Sequence, residues 1–470
     1  MRLQYYNSIH KQQEIHNIPC VHSRYQKNKK SKQRNRRRIM KNKKYGSFLL
    51  AALMAGSLCA CGTGSSDAGG GEKEKTEGSK GGVTLTYVTW NENQKDSIQA
   101  TVDGFNKVYP DIKVEIQTTP WGEYWTKLEA AATSGNMADI VTMHTNTIAK
   151  YVNGDKLEQL DDLAEIDDTF SYDNNPEGIT KLFTMEDKHY GVPKDKDCVI
   201  LVYNKEIFDN AGVAYPDDSW TWADLEEAAQ KLTDKEKGIY GFNAYNNSQE
   251  SWGNLLYQNG GCIIDEANNV SGLDDPKSIE AMDFFVKLQQ YSPSQEMQAE
   301  VDYISMFATG TVAMQFQGNW QLNNYTDNEI MKDKFAIAPL PAGPEGVKAT
   351  QSNGIALSIP KNCKNMDAAK KFVAYASSEQ GMKDAVNGPA IPAFDGVEED
   401  WSKAHEAEYD TKVILEGLDY GVQFVGTESK SQWEAVMNDY VAKILNGEIS
   451  PAEGFTDASK EMNEILAKEK

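Results

Sequence analysis

Several of the nine tryptophans in this chain stand where a predicted strand or loop ends. Trp90 follows the first predicted strand with Glu92 close behind it, Trp121 lies in a predicted loop, and Trp320 lies in a predicted turn. An indole ring can pack on a flat C–H face, and an acid or amide beside it can bond hydroxyl groups. A sugar presents both kinds of surface, so these residue types suit a carbohydrate ligand.

Motifs of common enzymes and metal sites are missing from the sequence. It contains no GxxxxGK[ST], GxSxG or HExxH pattern and no CxxC with a histidine pair at zinc spacing. His144, His189 and His405 are far apart, so neither a metal nor another cofactor is expected. A glycoside hydrolase needs only two carboxylates about 5–10 Å apart. Because acids are abundant, a surface-anchored glycan-active enzyme remains the alternative to a binding protein.

Charge divides the chain into two unlike parts. Residues 1–60 hold 14 lysines and arginines and one acid, whereas the rest holds 34 basic and 69 acidic residues. An acidic body argues against nucleic acid or an anionic membrane as the main partner. The basic run Lys27–Arg38 could belong to a nucleic-acid arm, but it stands just before an apolar stretch, which favours a leader.

The leader has the pattern of a lipoprotein signal peptide. After Met40 come three lysines and then the apolar segment Phe48–Leu58, which is too short to span a hydrocarbon core of about 30 Å. The next residues, Leu58-Cys59-Ala60-Cys61, resemble the bacterial lipoprotein box, in which the final cysteine is lipidated after cleavage. We therefore expect a non-mature leader over residues 1–60, a true start at Met40, and lipidation of Cys61. A plain secretory signal is the alternative.

A tether is predicted after the anchor. Eight of the 21 residues of Gly62–Gly82 are glycine, and none is aromatic, so the segment cannot bury apolar surface. Residues 61–82 would then link a lipid on the outer face of the bacterial cell membrane to a folded body. Enzymes and adhesins are also displayed in this way, so the leader predicts the location and not the activity.

The body opens with a β-α-β-α-β pattern. Apolar periodicity predicts strands at Val83–Val88, Lys113–Gln117 and Ala138–Met143, a helix whose apolar face runs from Ile98 to Tyr109, and a second helix over Trp125–Thr133. This order implies an α/β class with a mostly parallel sheet covered by helices, and ligands at the carboxyl ends of its strands.

A second α/β region starts near Val199. Val199–Tyr203 is predicted as a buried strand, and Thr221-Trp222-Ala223-Asp224 matches a capping box that opens a helix through Leu232. Further amphipathic helices are predicted over Pro276–Gln290 and Ser431–Leu445.

The chain resembles the family 1 extracellular solute-binding proteins, the sugar-binding group that includes maltose-binding protein. The resemblance covers most of Val83–Ile465 and rests on an ordered set of short segments. These are Trp90-Asn91-Glu92, Phe105-Asn106-Lys107, Tyr109–Val114, Ala138–Val141, Gly191–Lys194, Leu201–Lys205, Asn259-Gly260-Gly261, Phe307–Met314, Gly318-Asn319-Trp320, Pro339-Leu340-Pro341 and Gly354–Ser358.

The resemblance implies a two-lobed periplasmic-binding-protein fold of type II, with lobes joined by crossing hinge strands. By similarity, one lobe would comprise residues 83–195 plus 353–394, and the other residues 196–352 plus 395–470. It also implies a monomeric solute-binding lipoprotein of an ABC importer. Such a protein would capture a carbohydrate, in particular an oligosaccharide, between closing lobes and deliver it to the transmembrane permease subunits.

Ligand-binding residues of the first lobe are carried over from the family's positions. Glu92 beside Trp90 would accept hydroxyl groups, and Trp121 or its neighbour Tyr124 would line the cleft. His144 and Asn146 follow the third strand, where a tryptophan often stands in the family, so an aromatic platform there would be weaker or placed differently. The alternatives are sheet-edge packing for Trp90 and a structural role for His144.

The remaining candidates lie at or beyond the crossing into the second lobe. Asp197 matches a family acid before the crossing strand, with a plain surface charge as its alternative. Trp252, Trp320 and Trp433 match aromatic positions of the family, and the turn Gly318-Asn319-Trp320 matches its sugar-stacking tryptophan. Core packing is the alternative for all three rings.

Overall fold

The computed structural model describes residues 82–90, 92–423 and 426–469. The predicted leader and nearly all of the predicted tether, with Met40 and Cys61, lie outside these residues. Among the helices of the described part, none has the length and apolar character needed to cross a lipid bilayer.

Fifteen strands and eighteen α-helices make up the described body. The strands are β1 Val83–Thr89, β2 Ile112–Thr118, β3 Ile140–His144, β4 Thr184–Met185, β5 Lys188–His189, β6 Val192–Pro193, β7 Asp195–Asn204, β8 Ile264–Asp265, β9 Val270–Ser271, β10 Met314–Gly318, β11 Phe335–Ala338, β12 Thr350–Asn353, β13 Ile355–Ser358, β14 Ile391–Pro392 and β15 Gly421–Gln423. The helices are α1 Lys95–Val108, α2 Trp121–Ser134, α3 Ile148–Asn153, α4 Leu163–Ile166, α5 Glu177–Leu182, α6 Lys205–Ala211, α7 Trp222–Leu232, α8 Trp252–Gln258, α9 Pro276–Leu288, α10 Gln295–Glu300, α11 Tyr303–Ala308, α12 Asn323–Thr326, α13 Met366–Ala376, α14 Glu379–Asp384, α15 Glu398–His405, α16 Thr411–Asp419, α17 Lys430–Leu445 and α18 Pro451–Leu466.

The first sheet has the order β2-β1-β3-β13-β6. β1 pairs in parallel with both β2 and β3, which confirms the predicted β-α-β-α-β start. β13 and β6 join antiparallel from later in the chain. The predicted apolar face of α1 is buried at Ile98, Val102 and Phe105, where it packs on this sheet and on α13.

Helix α2 begins four residues earlier than predicted, so the expected loop at Trp121 is wrong. Pro120 precedes the helix, and its carbonyl oxygen accepts hydrogen bonds from the backbone N–H groups of Glu123 and Tyr124, both at 2.9 Å. Pro120 is the N-cap residue, and its missing N–H costs the helix no hydrogen bond at this position. The helix ends as predicted at Gly135, whose φ of 71° is a left-handed cap.

Strand β7 is the centre of the second sheet. All ten of its residues are buried, and it pairs antiparallel with β10, β11, β12 and β14. The predicted strand Val199–Tyr203 is therefore the carboxyl-terminal half of a longer one. The predicted capping box is confirmed, since the Asp224 carboxylate accepts the Thr221 backbone N–H at 2.8 Å at the start of α7.

Two chain segments cross between the sheets, side by side, and we call them the hinge segments: residues 193–197 and 352–355. The Asp195 carboxylate accepts the backbone N–H of Ile355 at 3.0 Å, and the Asp197 carboxylate accepts that of Asn353 at 2.9 Å. A Cβ on Gly354 would lie 2.5 Å from the carbonyl oxygen of Asp195, so only glycine permits this close approach. The hinge segments are thus fastened to each other.

Candidate functional site

A cavity of about 630 Å³ opens beside the hinge segments, and we call it the cleft. From the first sheet it is bordered by Trp90 after β1, Trp121 at the start of α2, and His144 at the end of β3. On the side of the second sheet, the cleft is bordered by Trp320 after β10 and by the loop that precedes α8. The carboxyl ends of the first-sheet strands thus meet residues of the second sheet, as expected for this class of fold.

An aromatic cluster forms the first-sheet wall of the cleft. The rings of Trp90 and Trp121 meet edge to face, with centroids 5.0 Å apart and planes at 81°, and Trp121 packs in the same way on Trp125 at 5.3 Å. Edge-to-face pairs hold aromatic rings in fixed orientations. Because Trp121 is still 45% exposed, it is held by its neighbours while keeping surface available to a ligand.

Trp320 is held on the opposite wall by the turn that contains it. Its indole folds back over Gly318, where a Cβ would lie 2.2 Å from the ring. The side-chain oxygen of Asn319 accepts the backbone N–H of Cys198 at 3.0 Å, which fastens the turn to β7. The glycine and the asparagine therefore fix the position of a half-buried tryptophan at the cleft surface.

Glu250 supports the same wall and was not predicted from the sequence. Its carboxylate accepts the backbone N–H of Gly318 at 2.9 Å and the Tyr303 hydroxyl at 3.0 Å. Burial raises the pKa of this carboxyl above its ordinary value. A sequence pattern could have indicated Glu250, because Asn246–Ser251 is an unbroken polar run just before the buried helix α8. Four residues of this run besides Glu250 line the cleft.

The charged groups that line the cleft are all acids. They are Asp195, Asp197, Glu250 and Glu434, and no lysine or arginine is among the described lining residues. Lys194 lies 3.1 Å from Asp195, and Lys430 lies 2.5 Å from Glu434. Burial, followed by the nearby Asp195 charge, raises the pKa of Asp197 well above its usual range. Two of the four acids are therefore paired with lysines, and the raised pKa values of Asp197 and Glu250 favour their neutral forms. The lining offers hydrogen-bonding groups to hydroxyls and no cation that would bind an anion.

His144 is a neutral, internally bonded member of the lining. Its Nδ1 accepts the backbone N–H of Asn146 at 3.1 Å, and its Nε2 lies 2.8 Å from the side-chain amide of Asn353 in a hinge segment. Burial, with a smaller contribution from Lys430, lowers the pKa of the imidazole to about 3. The ring therefore carries no charge at neutral pH.

We expect His144 to make the fold sensitive to acid. An unfolded histidine titrates near pH 6.5, so the unfolded state binds a proton before the folded state as the pH falls from about 6.5 to about 3. Stability should fall in that window by up to about 1.4 kcal/mol per pH unit from this group alone. Urea unfolding of wild type and His144→Gln at pH 7.5 and 4.5 tests this. The variant should lose less stability on acidification, and equal losses would contradict the assignment.

The structure brings six of the ten predicted ligand-binding residues together in the cleft lining. These are Trp90, Trp121, His144, Asn146, Asp197 and Trp320. Glu92 is exposed outside that lining, 3.5 Å from Lys95, while the following Asn93 and Gln94 do line the cleft. The chain turns through a short 3-10 helix at Glu92–Gln94, which directs the later residues inward.

The other three predicted residues, Tyr124, Trp252 and Trp433, lie outside the cleft lining. All three are at most 3% exposed, and their rings fill hydrophobic clusters. The Tyr124 hydroxyl donates to the carbonyl of Thr142 at 2.8 Å, and the Trp433 indole N–H donates to the Thr427 hydroxyl at 2.8 Å. Rings that are enclosed and internally bonded leave no face toward the cleft, so these three residues belong to the core.

Sequence comparison relates this chain to known binding proteins. Residues 90–383 match the family described as bacterial extracellular solute-binding protein. The arabinooligosaccharide-binding protein of Bacillus subtilis (strain 168) is 29% identical over 325 residues, which are 66% of this chain and 73% of that protein. The diacetylchitobiose binding protein DasA of Streptomyces coelicolor is 26% identical over 452 residues, 92% of this chain and 100% of that one.

Solved structures have the same fold. An ABC substrate-binding protein of Listeria monocytogenes in complex with cycloalternan superimposes with a TM-score of 0.76 at 24% identity, covering 82% of this chain and 99% of that chain. The GacH receptor of Streptomyces glaucescens, solved without ligand and with acarbose, superimposes with a TM-score of 0.74 at 25% identity. This match covers 83% of this chain and 100% of that chain. These neighbours confirm the two-lobed α/β fold of type II periplasmic binding proteins. The chain is a member of the bacterial extracellular solute-binding protein family.

Proposed function

We propose that this chain is the solute-binding subunit of an ABC importer and that it captures a neutral carbohydrate in the cleft. The observation that carries the proposal is that Trp121 and Trp320 border one cavity from opposite walls. Amides and acids are numerous among its other lining residues, and none of the described ones is a lysine or arginine. Aromatic faces and hydroxyl acceptors suit a sugar. The names of the relatives, which bind arabinooligosaccharide and diacetylchitobiose, support the same ligand class.

An oligosaccharide is the ligand that we favour within this class. The cleft volume of about 630 Å³ lies within the range of about 300–1,000 Å³ that is typical of sites for drug-sized ligands, so there is room for more than one sugar ring. The lining gives phosphorylated and uronic sugars no charged partner, because no lysine or arginine is among its described residues.

Closure of the two lobes is the proposed mechanism of capture. The lobes would be residues 83–195 plus 353–394 and residues 196–352 plus 395–470. A hydrophobic cluster on the first sheet and another on the second support this division. A sugar that touches both walls favours the closed form, because only that form makes all the contacts. The closed monomer would dock on the permease, and a separate ATPase would drive transport, since this chain has no Walker A motif.

Lipid anchoring through Cys61 is part of the proposal and rests on the sequence Leu58-Cys59-Ala60-Cys61. In a bacterial host fed a clickable palmitate analogue, the wild-type protein should be labelled and found in the membrane fraction. Cys61→Ser should abolish both, because the thiol that carries the lipid is gone, whereas Cys59→Ser is the matched control and should leave both intact. Labelling of Cys61→Ser at the wild-type level would contradict the assignment.

A ligand screen tests the carbohydrate proposal directly. The protein is unfolded and refolded to remove any co-purified ligand, and its thermal midpoint is then measured with arabinooligosaccharides, maltooligosaccharides, chitooligosaccharides, sugar phosphates and amino acids. A neutral oligosaccharide should raise the midpoint, because it binds only the folded state. It should be recovered unchanged, since the relatives are binding proteins rather than enzymes. Stabilisation by sugar phosphates or amino acids alone, or breakdown of the glycan, would refute the proposal.

A further inference from the structure

A second cavity adjoins the cleft and is absent from the predicted site. It has a volume of about 300 Å³ and lies between the loop Asn243–Asn247, the helix α10 and the start of α11. We call it the side pocket. Asn246, Asn247 and Tyr303 line both the side pocket and the cleft. The two cavities therefore adjoin at these residues, and a chain-like ligand in the cleft would pass over them to reach the side pocket.

The lining of the side pocket is rich in uncharged hydrogen-bonding groups. Five amide side chains line it, together with Asp302, whose carboxylate caps α11 by accepting the backbone N–H of Ser305 at 2.9 Å. None of its described lining residues is a lysine, arginine or histidine. Amides both donate and accept, which matches hydroxyl groups and offers nothing specific to an anion.

One buried amide in this lining is incompletely bonded. Asn243 is fully buried, and its side-chain nitrogen donates to the Gln315 side-chain oxygen at 2.9 Å. Its side-chain oxygen has no hydrogen-bond partner among the described residues. A buried acceptor without a donor is rare in native proteins, because it has lost its water without replacement. Because Asn243 is enclosed, the amides that a ligand can reach in the side pocket are the more exposed ones of Asn246, Asn247, Gln295 and Gln298.

The Tyr303 ring borders both the side pocket and the cleft, and Tyr245 lines the side pocket behind it. Tyr303 stacks on Tyr245 with ring centroids 4.4 Å apart and planes at 8°, and the Glu250 carboxylate fixes the Tyr303 hydroxyl at 3.0 Å. At the other side of the pocket, Val301 is 42% exposed and adds apolar surface. The side pocket therefore combines ring surface with amides, which is the combination that suits a sugar in the cleft.

We propose that the side pocket is a further carbohydrate subsite, which takes additional neutral sugar units of an oligosaccharide whose first units lie in the cleft. This inference rests on the proposed function and deepens it, because it makes the protein selective for chain length. Disaccharides would fill the cleft alone, whereas longer chains would pass Tyr303 and bond the amides beyond it.

Blocking the side pocket tests the inference without touching the cleft. Ala299 lies on α10, is exposed, and lines the side pocket but not the cleft. Ala299→Trp places a bulky ring in the pocket from a solvent-facing position, so the fold should tolerate it. Glu300→Trp is the matched control, because Glu300 is the next residue of the same helix, is exposed, and lines neither cavity. Affinities are measured by titration calorimetry from disaccharide to hexasaccharide in whichever series stabilises the protein.

The wild type and Glu300→Trp should bind the longer chains about tenfold to a hundredfold more tightly than the disaccharide, as expected for two or more added hydrogen bonds. Ala299→Trp should bind the disaccharide like the wild type and lose this gain. If the gain persists in Ala299→Trp, or if the variant weakens short and long chains equally, the subsite is refuted while the cleft proposal stands. If no oligosaccharide binds the wild type, the proposed function itself has failed.

Discussion

Alanine at Trp320 should weaken sugar binding by roughly thirty- to hundredfold while leaving the fold nearly as stable as before. The ring is half-buried at the cleft surface, so its removal takes away ligand contact more than core packing. Loss of its apolar area and of stacking on a sugar face together amount to about 2–3 kcal/mol. Titration calorimetry with a sugar that stabilises the wild type measures the affinity, and urea unfolding measures the stability.

Gly318→Ala should weaken binding in the same direction although it removes no aromatic ring. The added Cβ would lie 2.2 Å from the indole and must displace it.

Trp220→Ala is the control for Trp320→Ala, because Trp220 is a half-buried tryptophan that packs on the second-sheet core and does not line the cleft. It should keep the wild-type affinity. If Trp320→Ala binds as tightly as Trp220→Ala, Trp320 is not a ligand platform.

Alanine at Trp433 should lower stability rather than act directly on sugar binding. We expect a loss of about 3–5 kcal/mol of unfolding free energy. The ring is 2% exposed in the main cluster of the second sheet, and its N–H is bonded to Thr427. Removal leaves a large cavity and an unpaired hydroxyl in a region that cannot collapse easily. Urea unfolding gives the magnitude.

The phenylalanine variant separates packing from ligand contact. Trp433→Phe keeps most of the apolar volume, so it should lose less stability than the alanine variant and bind sugar like the wild type. A fall in affinity with little change in stability would instead restore Trp433 as a stacking residue, as the sequence alone predicted.

Local patterns were sufficient for much of the fold. The alternation in Val83–Val88 and the apolar face from Ile98 placed β1 and α1 within a few residues, because each pattern reports a single buried face. The start of α2 was missed, since Pro120 and three aromatic residues are compatible with either a loop or a helix. The antiparallel entry of β13 into the first sheet depends on contacts between residues more than 200 positions apart, which no local pattern records.

Residue type alone could not separate cleft tryptophans from core tryptophans. Trp320 and Trp433 both follow turn-like segments in the sequence, yet one lies on the cleft and the other fills the core. Their burial is decided by which helices pack over them, and that is a tertiary property. Glu250 was missed for the same reason, because its partners Tyr303 and Gly318 lie 53 and 68 residues away.

If the lobes close as proposed, the two hinge segments would report that motion. The amide hydrogens of Asn353 and Ile355 are held by the buried carboxylates of Asp197 and Asp195, which also border the cleft. Any rotation that separates the two segments must release both amides together. Under the proposed closure, exchange of these two amides with deuterated solvent would record how often the segments separate. Slower exchange when the cleft is occupied would show that ligand binding and separation of the segments are coupled.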